Sequence, residues 1–407
     1  MSSCQVRPGY RLVAAIAVGA CVSSAAAVEG QGIPWGPATV YPAISSSLSY
    51  DDNYFRTEKD ELQTWVATVS PVVEVVSRGR LSEYMVRYEA ELGRPFDHDP
   101  GDYDDHALTA VASWSLTRKL DATVTANYAR DHDEIGTERT EGGAGQDAFE
   151  DFDPDEYRDA ALSALFEYGS EGAQGALEFE FGYRDRKYLT NRSFTFARDF
   201  EDAFARGAFF WRVAPKTRLF VESQFTDIDY DETGPGQNDL DSNEYRYSVG
   251  ADWQATGKTS GRAQIGYLEK EFDDGGRDKT GTLSWLVAAT YNPRTYSTVD
   301  LYTQRRTEEA DNTFTEDFIV SQEIGLSWLH DWNFRTATEV AVSYRDEDFR
   351  GGSDRNDDVY RLRAQVNHAL QRWLALALGF QYEEQDSSQQ FFDHTRNQLF
   401  VTVSAAL

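Results

Sequence analysis

Residues 397–407 read NQLFVTVSAAL and alternate between two kinds of side chain. One face carries Leu399, Val401, Val403, Ala405 and Leu407. Period-two alternation of this length predicts a β-strand with one apolar face. Because the unpaired N–H and C=O groups of an edge strand recruit other chains, we expect this strand to pair with the first strand and close a barrel.

The same alternation recurs from residue 43 onward, with short turns and long acidic loops following one another. This arrangement is typical of outer-membrane barrels, in which closure removes every edge. The pattern therefore predicts an all-β fold, a transmembrane antiparallel up-and-down β-barrel of about 18 strands, within a range of roughly 16–18. The lower figure allows for a weak first hairpin and a weak segment around Val299 and Leu301.

Many aromatic residues of the predicted apolar faces lie near strand ends, where interfacial girdles belong. These residues are Trp114, Tyr128, Trp211, Trp253, Trp285, Tyr291, Trp328 and Trp373. Strict alternation also assigns Phe318, Val320 and Ile324 to the lipid-facing side of one strand.

Composition excludes several classes of protein. The formal net charge of −30 argues against nucleic-acid binding, which needs a basic surface. After residue 28 the longest aliphatic-rich run covers only 374–380, too short for a spanning helix. An aromatic content of 14% together with high polarity favours a membrane β-barrel, and a soluble all-β repeat or propeller remains the alternative.

The N-terminal segment has the pattern of a secretory signal peptide over residues 1–27, with a basic start, an apolar stretch and small residues before the cleavage site. Lipoprotein processing at Cys21 is the alternative. Cleavage after Ala27 would remove Cys4 and Cys21, the only cysteines, so the mature chain would have no thiol for a disulfide or a thiolate metal site. We expect an irregular, Gly- and Pro-rich periplasmic leader over 28–42, and a single barrel domain over 43–407.

Alternation places charged residues on the inner faces of the strands, and the plain interpretation is a mutually paired, solvated lining. A sharper hypothesis uses the 131–156 loop, folded inward to narrow the lumen. Its acids would face arginines on the opposite wall and create a transverse field that orients polar solutes. The constriction candidates are Asp147, Glu150, Asp151, Asp153, Arg246, Arg335, Arg361 and Arg363. The alternative is an outer loop, since Gly142, Gly143 and Gly145 favour irregular structure.

Four histidines stand beside aspartate at predicted loop ends: His98, His106, His132 and His394. Asp–His pairs at a barrel rim could activate water or bind a metal. Acidic loops also place Asp beside any residue often, and no nucleophile can be identified. We therefore predict no catalytic residue, no metal site and no cofactor.

Three motifs resemble one known family: residues 47–56 (SLSYDDNYFR), 69–71 (VSP) and 84–99 (YMVRYEAELGRPFDHD). They are similar to the outer-membrane porins called β-barrel porin 2. The resemblance implies an association with exopolysaccharide synthesis and export in Gram-negative bacteria. It supplies no catalytic residues, and Leu407 departs from the terminal aromatic that is usual in barrel proteins.

These features together predict a porin-like channel in the outer membrane, linked to exopolysaccharide export. The expected partners are outer-membrane lipid and lipopolysaccharide, the barrel assembly machinery and polysaccharide-export components, with no nucleic acid. Two other functions remain open: a structural or adhesive barrel with a blocked lumen, and a hydrolase active at the barrel rim.

Overall fold

The computed structural model describes residues 30–96, 101–142, 154–170, 172–234, 239–273, 277, 279–309, 316–352 and 354–407. Within these ranges the chain forms one sheet of nineteen strands, all paired antiparallel. The predicted signal peptide, with both cysteines, lies outside the described residues. The described part of the chain holds no helix long and apolar enough to cross a membrane.

The elements follow one another with short helical turns in three of the loops. The strands are β1 Ile33–Trp35, β2 Ala38–Asp51, β3 Thr64–Arg78, β4 Ser82–Pro95, β5 Tyr103–Ser115, β6 Leu120–His132, β7 Glu156–Tyr168, β8 Gly175–Tyr188, β9 Phe200–Ala214, β10 Thr217–Tyr230, β11 Ser242–Thr256, β12 Thr259–Phe272, β13 Thr280–Arg294, β14 Ser297–Glu309, β15 Glu316–Asn333, β16 Thr336–Gly351, β17 Asn356–Gln371, β18 Leu374–Ser387 and β19 His394–Ala406. The helical elements are α1 Arg192–Thr195 and the 3₁₀ turns Glu138–Thr140, Phe196–Arg198 and Gln390–Phe392.

Strands β2 to β19 form a closed barrel of eighteen strands, each paired with its neighbours in sequence. The closing pair is β19 with β2, in register from Gln398↔Asp51 to Ala406↔Ala43. The predicted pairing of the last strand with the first, and the predicted strand number, are therefore confirmed. We call this β19–β2 junction the seam.

The predicted irregular leader is partly ordered, and this expectation was wrong for residues 33–42. β1 pairs with the start of β2, from Ile33↔Val40 to Trp35↔Ala38. Gly36 permits the turn between them because its φ is +60°, a region that favours glycine. β1 therefore pairs with β2 at residues 38–40, and β19 pairs with the following part of β2, residues 43–51.

Alternation along the strands separates a lipid-facing outer surface from the lumen. On β19, Leu399 is 54% exposed on the outer surface, whereas Phe400 and Thr402 point inward beside the inner residues of β2. Of the predicted girdle aromatics, four are about half exposed on the outside: Tyr128, Trp211, Tyr291 and Trp373.

Connections of two lengths define the two ends of the barrel. The turn side has short links such as residues 215–216 and 334–335. The loop side has long ones such as 52–63 and 133–155, in agreement with the predicted alternation. Outer-membrane barrels place short turns in the periplasm and long loops outside, so the loop side is the outer mouth.

Candidate functional site

The inner face of β8–β12 carries a chain of ion pairs. Arg206 of β9 lies 2.8 Å from Glu180 of β8 and 3.0 Å from Glu222 of β10. Arg262 of β12 lies 3.2 Å from the same Glu222 carboxylate. Arg206 and Glu222 are both buried. Because these charges neutralise one another, this wall matches the plain interpretation of a mutually paired lining.

Two buried aromatic rings strengthen the same wall. Phe210 and Phe220 point inward from β9 and β10 and are 1% and 3% exposed. Arg218 covers the first ring at 4.5 Å from its centroid, and Arg262 covers the second at 4.1 Å. Cation–π contacts of this kind fix guanidinium groups in place, so these arginines are held against the wall.

The loop-side end of the β14–β15 hairpin leaves the wall and folds into the lumen. Leu301 and Glu309 belong to the same face of β14 by alternation, and Leu301 is exposed on the outer surface. Yet Oε1 of Glu309 lies 2.5 Å from Nζ of Lys270, which points inward from β12. The β13–β14 ladder ends at Trp285↔Arg305, so the last residues of β14 bend away from β13.

Apolar packing holds the folded hairpin against the inner face of β12. Phe318 and Val320 are each 3% exposed and pack with Leu240 and Phe272 in one cluster. The Phe272 and Phe318 ring centroids are 6.1 Å apart. Ile324 faces lipid as predicted and is 48% exposed, but the same prediction was wrong for Phe318 and Val320. Their side of the strand turns inward because the hairpin folds over β13.

Polar contacts complete this attachment. The Lys270 side chain is fully buried and also lies 3.5 Å from Oε1 of Glu244 on β11. Thr307 donates a hydrogen bond to that Glu244 oxygen at 2.8 Å, and Tyr230 donates one to Glu309 at 2.9 Å. The hairpin end is therefore attached to β10, β11 and β12, and it occupies that half of the outer mouth.

Residues 133–142, the described start of the β6–β7 loop, dock at the other side of the mouth. Glu134 forms an ion pair with Arg56 and lies 3.6 Å from Nη1 of Arg396 on β19. The positive charge of Arg56 lowers the pKa of Glu134 to about 2, with Arg396 adding to the shift. Arg56 also donates a 3.0 Å hydrogen bond to Glu383 of β18. The loop start is thus tied to the wall near the seam.

A second contact of the same loop lies farther along the wall. Glu141 is 2.5 Å from Arg355, just before β17, and accepts a 2.6 Å hydrogen bond from Gln385 of β18. Arg355 also pairs with Asp357, and its guanidinium lies 3.6 Å from the Phe392 ring centroid. Two acids of the loop therefore reach the β17–β19 wall by direct ion pairs.

Close backbone contact seats this loop against the 52–63 loop. Gly136 has a φ of +83°, and a Cβ at this position would lie 2.1 Å from the carbonyl oxygen of Phe55. Phe55 and Ile135 are 5% and 6% exposed and form a small apolar cluster. Only glycine fits here, both for its backbone conformation and for the space available.

A third cluster joins the β6–β7 loop to the β8–β9 loop. Nη1 of Arg198 lies 3.0 Å from Asp133, and the guanidinium stands 4.3 Å from the Tyr188 ring centroid. Arg139 pairs with Asp155 at 2.6 Å. Burial raises the pKa of Asp133 against the opposing effect of Arg198. The described outer loops thus pack on one another rather than extending separately.

A cavity of about 930 Å³ remains inside the wall on the β2–β6 side, and we call it the loop-side cavity. Its wall comes from the inner faces of β3 and β4, including Thr68, Ser70 and Glu91. The docked loops cover it with Tyr54, Arg56, Glu134 and Ile135, and the seam side adds Arg363, Arg396 and Gln398. The lining of this cavity is mainly polar.

The constriction hypothesis stays a prediction, because its four acids lie outside the residues that the structure describes. Asp147, Glu150, Asp151 and Asp153 lie outside the described residues. Arg335 lies in the exposed β15–β16 turn at the far end, not in the wall, because β16 begins only at Thr336. Arg361 points inward but is 2.6 Å from Glu383, while Arg246 faces the lumen from β11. Of these candidates, Arg363 alone lines the loop-side cavity.

The arginines that do meet the loop were not predicted. Arg56, Arg355 and Arg396 lie at strand ends or in loops, where alternation gives no direction for a side chain. The described part of the loop shows inward docking, with acid and arginine in contact instead of separated across a gap. The sequence indicated only that this loop could fold inward. It did not indicate which arginine each acid would contact, because many acids compete for each arginine.

Three of the four Asp–His pairs lie among described residues, and in each the histidine ring has a closer partner than the neighbouring aspartate. Nδ1 of His132 is 2.9 Å from Asp105 and 3.9 Å from Asp131. His106 instead contacts Tyr88, and His394 contacts Glu383. Ligand atoms of Asp105, Asp131 and His132 lie close enough together to share a cation.

Comparison with known proteins gives one family. The model of the family described as "Putative beta-barrel porin 2" matches residues 26–407. No match was found among curated proteins.

Several solved structures share part of the architecture. OccK3 (OpdO) of Pseudomonas aeruginosa is 12% identical, with 90% of this chain and 95% of that chain covered and a TM-score of 0.45. The siderophore receptor PirA of Acinetobacter baumannii is 7% identical, with 90% and 80% covered and a TM-score of 0.46. The outer membrane protein OpdK of P. aeruginosa is 11% identical, with 90% and 98% covered and a TM-score of 0.46. At these values the likeness carries no weight for function, and the fold rests on the closed strand order.

Proposed function

Because the chain belongs to the Putative beta-barrel porin 2 family, we propose that this outer-membrane barrel is a porin-like channel for small polar solutes. The observation that carries the proposal is the loop-side cavity, a polar space of about 930 Å³ left inside the wall beside docked loops. Cavities of roughly 300–1,000 Å³ accommodate small solutes. The inner wall around it carries charged and hydroxyl side chains, which suits a water-filled path.

Planar-bilayer recording of the purified, refolded protein tests this proposal. We expect discrete conductance steps and passage of small uncharged sugars into proteoliposomes. Heat-unfolded protein at the same concentration is the control. Absence of conductance across a range of voltages and salt concentrations would contradict the channel.

A structural barrel with a blocked lumen is the second candidate, and the folded β14–β15 hairpin favours it. The hairpin occupies the β10–β12 half of the mouth through the Glu309–Lys270 ion pair and through Phe318 and Val320. If this block is complete, wild-type protein will be silent in bilayers and a Lys270→Met variant will conduct. If the cavity side is the path, both proteins will conduct.

The link to exopolysaccharide export rests on the family resemblance of residues 47–56 and 84–99. In this role the barrel would work beside polysaccharide-export components in the outer membrane. Deleting the gene and measuring secreted polymer tests the link. Unchanged polymer output, with intact conductance of the purified barrel, would leave a channel with another cargo.

The proposed role involves no catalysis, in keeping with the porin family. The Asp105–His132 contact is the arrangement closest to a rim hydrolase among the described residues. A screen with protease and lipase substrates on wild-type protein and a His132→Ala variant separates the two roles. Turnover that disappears in the variant would favour the hydrolase.

A further inference from the structure

We propose that the seam side of the loop-side cavity is a binding site for small hydroxy acids, which carry one carboxylate and one or more hydroxyl groups. The site consists of Arg363 on β17, Gln381 on β18 and Gln398 on β19. As a class of solute for the channel, hydroxy acids rest on the proposed function. Binding itself does not depend on passage, so the two can be tested separately.

The strand register places these three side chains within reach of one small solute. Arg363 is directly opposite Gln381, and Gln381 is directly opposite Gln398. Neighbouring strands lie about 4.8 Å apart, so the row spans roughly 10 Å of wall. The Arg363 guanidinium leans toward β19, since it lies 5.2 Å from the centroid of the Phe400 ring. Arg363 and Gln398 therefore line the same cavity, with Gln381 between them.

The Arg363 guanidinium is held in place but keeps most of its donors. Among the described residues it has no carboxylate partner, and Nη2 donates one hydrogen bond, at 3.3 Å, to the neutral Gln365 oxygen. Gln365 is buried and donates in turn to Asn367 at 3.0 Å, which fixes its oxygen toward Arg363. A guanidinium has five N–H donors, so this exposed side chain can still bind a carboxylate with two parallel hydrogen bonds.

The carboxylates beside this row do not neutralise Arg363. Asp51, which continues the row on β2, pairs with Arg396 at 2.5 Å. Glu339 lies diagonally across from Arg363 on β16, but in the described part of the chain no ion pair joins the two, and the guanidinium leans the other way. An anion that reaches Arg363 is therefore attracted by a charge that no described carboxylate holds.

The two glutamines add hydrogen-bond acceptors next to this charge. Gln398 donates its amide N–H to Asp51 at 2.8 Å, which leaves its Oε1 as an acceptor. Gln381 is half-buried, and its amide has no partner among the described residues. A carboxylate cannot donate to an amide oxygen, whereas a hydroxyl group can. A hydroxy acid therefore satisfies the guanidinium and the amide oxygens together, which a plain carboxylate or an uncharged polyol does not.

Isothermal titration of the refolded barrel in detergent tests binding directly. D-Glycerate is the probe, propionate has the same carbon chain and carboxylate without hydroxyls, and glycerol has hydroxyls without the carboxylate. We expect glycerate to bind about tenfold more tightly than propionate, a difference of about 1.4 kcal/mol. Glycerol should bind more weakly than both, since it lacks the charge that Arg363 attracts.

Three variants separate the parts of the site. Arg363→Gln should abolish binding of glycerate and propionate alike. Gln381→Met keeps the length of the side chain but removes the amide, so it should lower the affinity for glycerate about threefold and leave that for propionate unchanged. Arg246→Gln should bind glycerate like the wild type. It is the matched control, because Arg246 is another inward arginine with no carboxylate partner among the described residues, and it lies on β11 away from the cavity.

Heat-modifiable migration on gels verifies that each variant is folded. Should Arg363→Gln not fold, Arg363→Lys takes its place. This variant keeps the charge but not the two parallel hydrogen bonds, so its affinity for both carboxylates should fall. Unchanged affinities in Arg363→Lys would contradict the proposed contact.

Equal affinities for propionate and glycerate would overturn the proposal in favour of a plain anion site. An Arg246→Gln effect as large as that of Arg363→Gln would overturn it in favour of a diffuse lumen field. Passage of an uncharged sugar into proteoliposomes reports the channel separately. Glycerate binding without passage would refute the channel and keep the site, and passage without glycerate binding would keep the channel and refute the site.

Discussion

The two halves of the outer mouth are built from similar strands but filled in opposite ways. On the β8–β12 half, Arg206, Glu222 and Lys270 are buried in ion pairs, and the β14–β15 hairpin packs over Lys270. On the β2–β6 half, the docked loops leave a polar cavity that Arg363 lines, with no carboxylate partner among the described residues. The charged side chains of the first half therefore stabilise its packing, whereas Arg363 in the second half remains available to solutes.

Under the proposed channel function, this difference means that a count of charged lumen residues would not predict selectivity. The buried arginines of the packed half are neutralised, so they add little field to the path of a solute. The seam next to the cavity is lined by small hydroxyl groups such as Ser47 and Thr402. We therefore expect substitutions in the packed half to change stability, and substitutions in the open half to change selectivity.

The largest effect is expected for Lys270→Met in the packed half. The variant leaves the carboxylates of Glu244 and Glu309 without their cation in a buried site, so the free energy of unfolding should fall by about 3–5 kcal/mol. Denaturant unfolding in lipid vesicles measures this change. Lys279→Met is the control, since this lysine is 56% exposed and should shift unfolding by less than about 1 kcal/mol. Equal effects of the two variants would mean that the buried ion pairs of Lys270 stabilise the packed half no more than an exposed lysine does.

The next effect concerns Gly136, where the loop docks beside the open half. Gly136→Ala should lower the free energy of unfolding by more than the roughly 1–2 kcal/mol cost of the left-handed backbone, because its Cβ meets the Phe55 carbonyl oxygen. Gly172→Ala isolates the backbone cost, since Gly172 has the same φ of +83° and nothing near its Cβ. Protease cleavage within residues 133–142 should increase only in the first variant. Equal behaviour of the two would contradict tight docking.

A smaller effect is expected from acid, because Glu134 is 60% exposed and solvent screens its ion pairs. Its pKa of about 2 lies below the ordinary value of 4.5, so the Arg56 and Arg396 contacts persist through pH 4.5 and weaken as the pH falls toward 2. Hydrogen exchange of residues 133–142 across this range measures the change. In Glu134→Gln we expect faster exchange at neutral pH and a smaller acid step. An identical acid step in the variant would assign it to another group.

The smallest effect is expected for Ser47→Ala at the seam. The Ser47 hydroxyl lies 3.0 Å from that of Thr402 in a lumen reached by water, so its loss should cost about 0.5 kcal/mol, the low end for a hydrogen bond. Denaturant unfolding measures it against Ser45→Ala, a neighbouring seam serine on the same inner face of β2. A cost above about 2 kcal/mol would mean that the seam depends on this contact.

Much of the fold could be predicted from the sequence because lipid on one side and water on the other impose alternation on every strand. Leu399 and Val401 face lipid for that reason. The last strand pairs with the first because closure leaves no strand edge unpaired. The prediction failed at Phe318 and Val320. Alternation fixes the faces of a strand, but it does not say whether the strand end stays in the wall.

The candidate site was harder to predict because its contacts join distant loops. Glu134 meets Arg56, which is 78 residues away in sequence, and Arg355 meets Glu141 across 214 residues. In so acidic a chain, each arginine has many alternative partners, so sequence alone does not select one. Arg363 was predicted to face the lumen, but that no described carboxylate pairs with it is visible only once the other ion pairs are placed.

The seam also has a consequence for how the barrel forms. Every other barrel strand pairs with a strand next to it in sequence, whereas Ser47 and Thr402 are 355 residues apart. Non-local pairings are slow to form, since chain entropy must be lost before their contacts are made. Closure of β19 on β2 is thus expected to be the rate-limiting step of folding. Substitutions along this junction should then change the folding rate more than the unfolding rate.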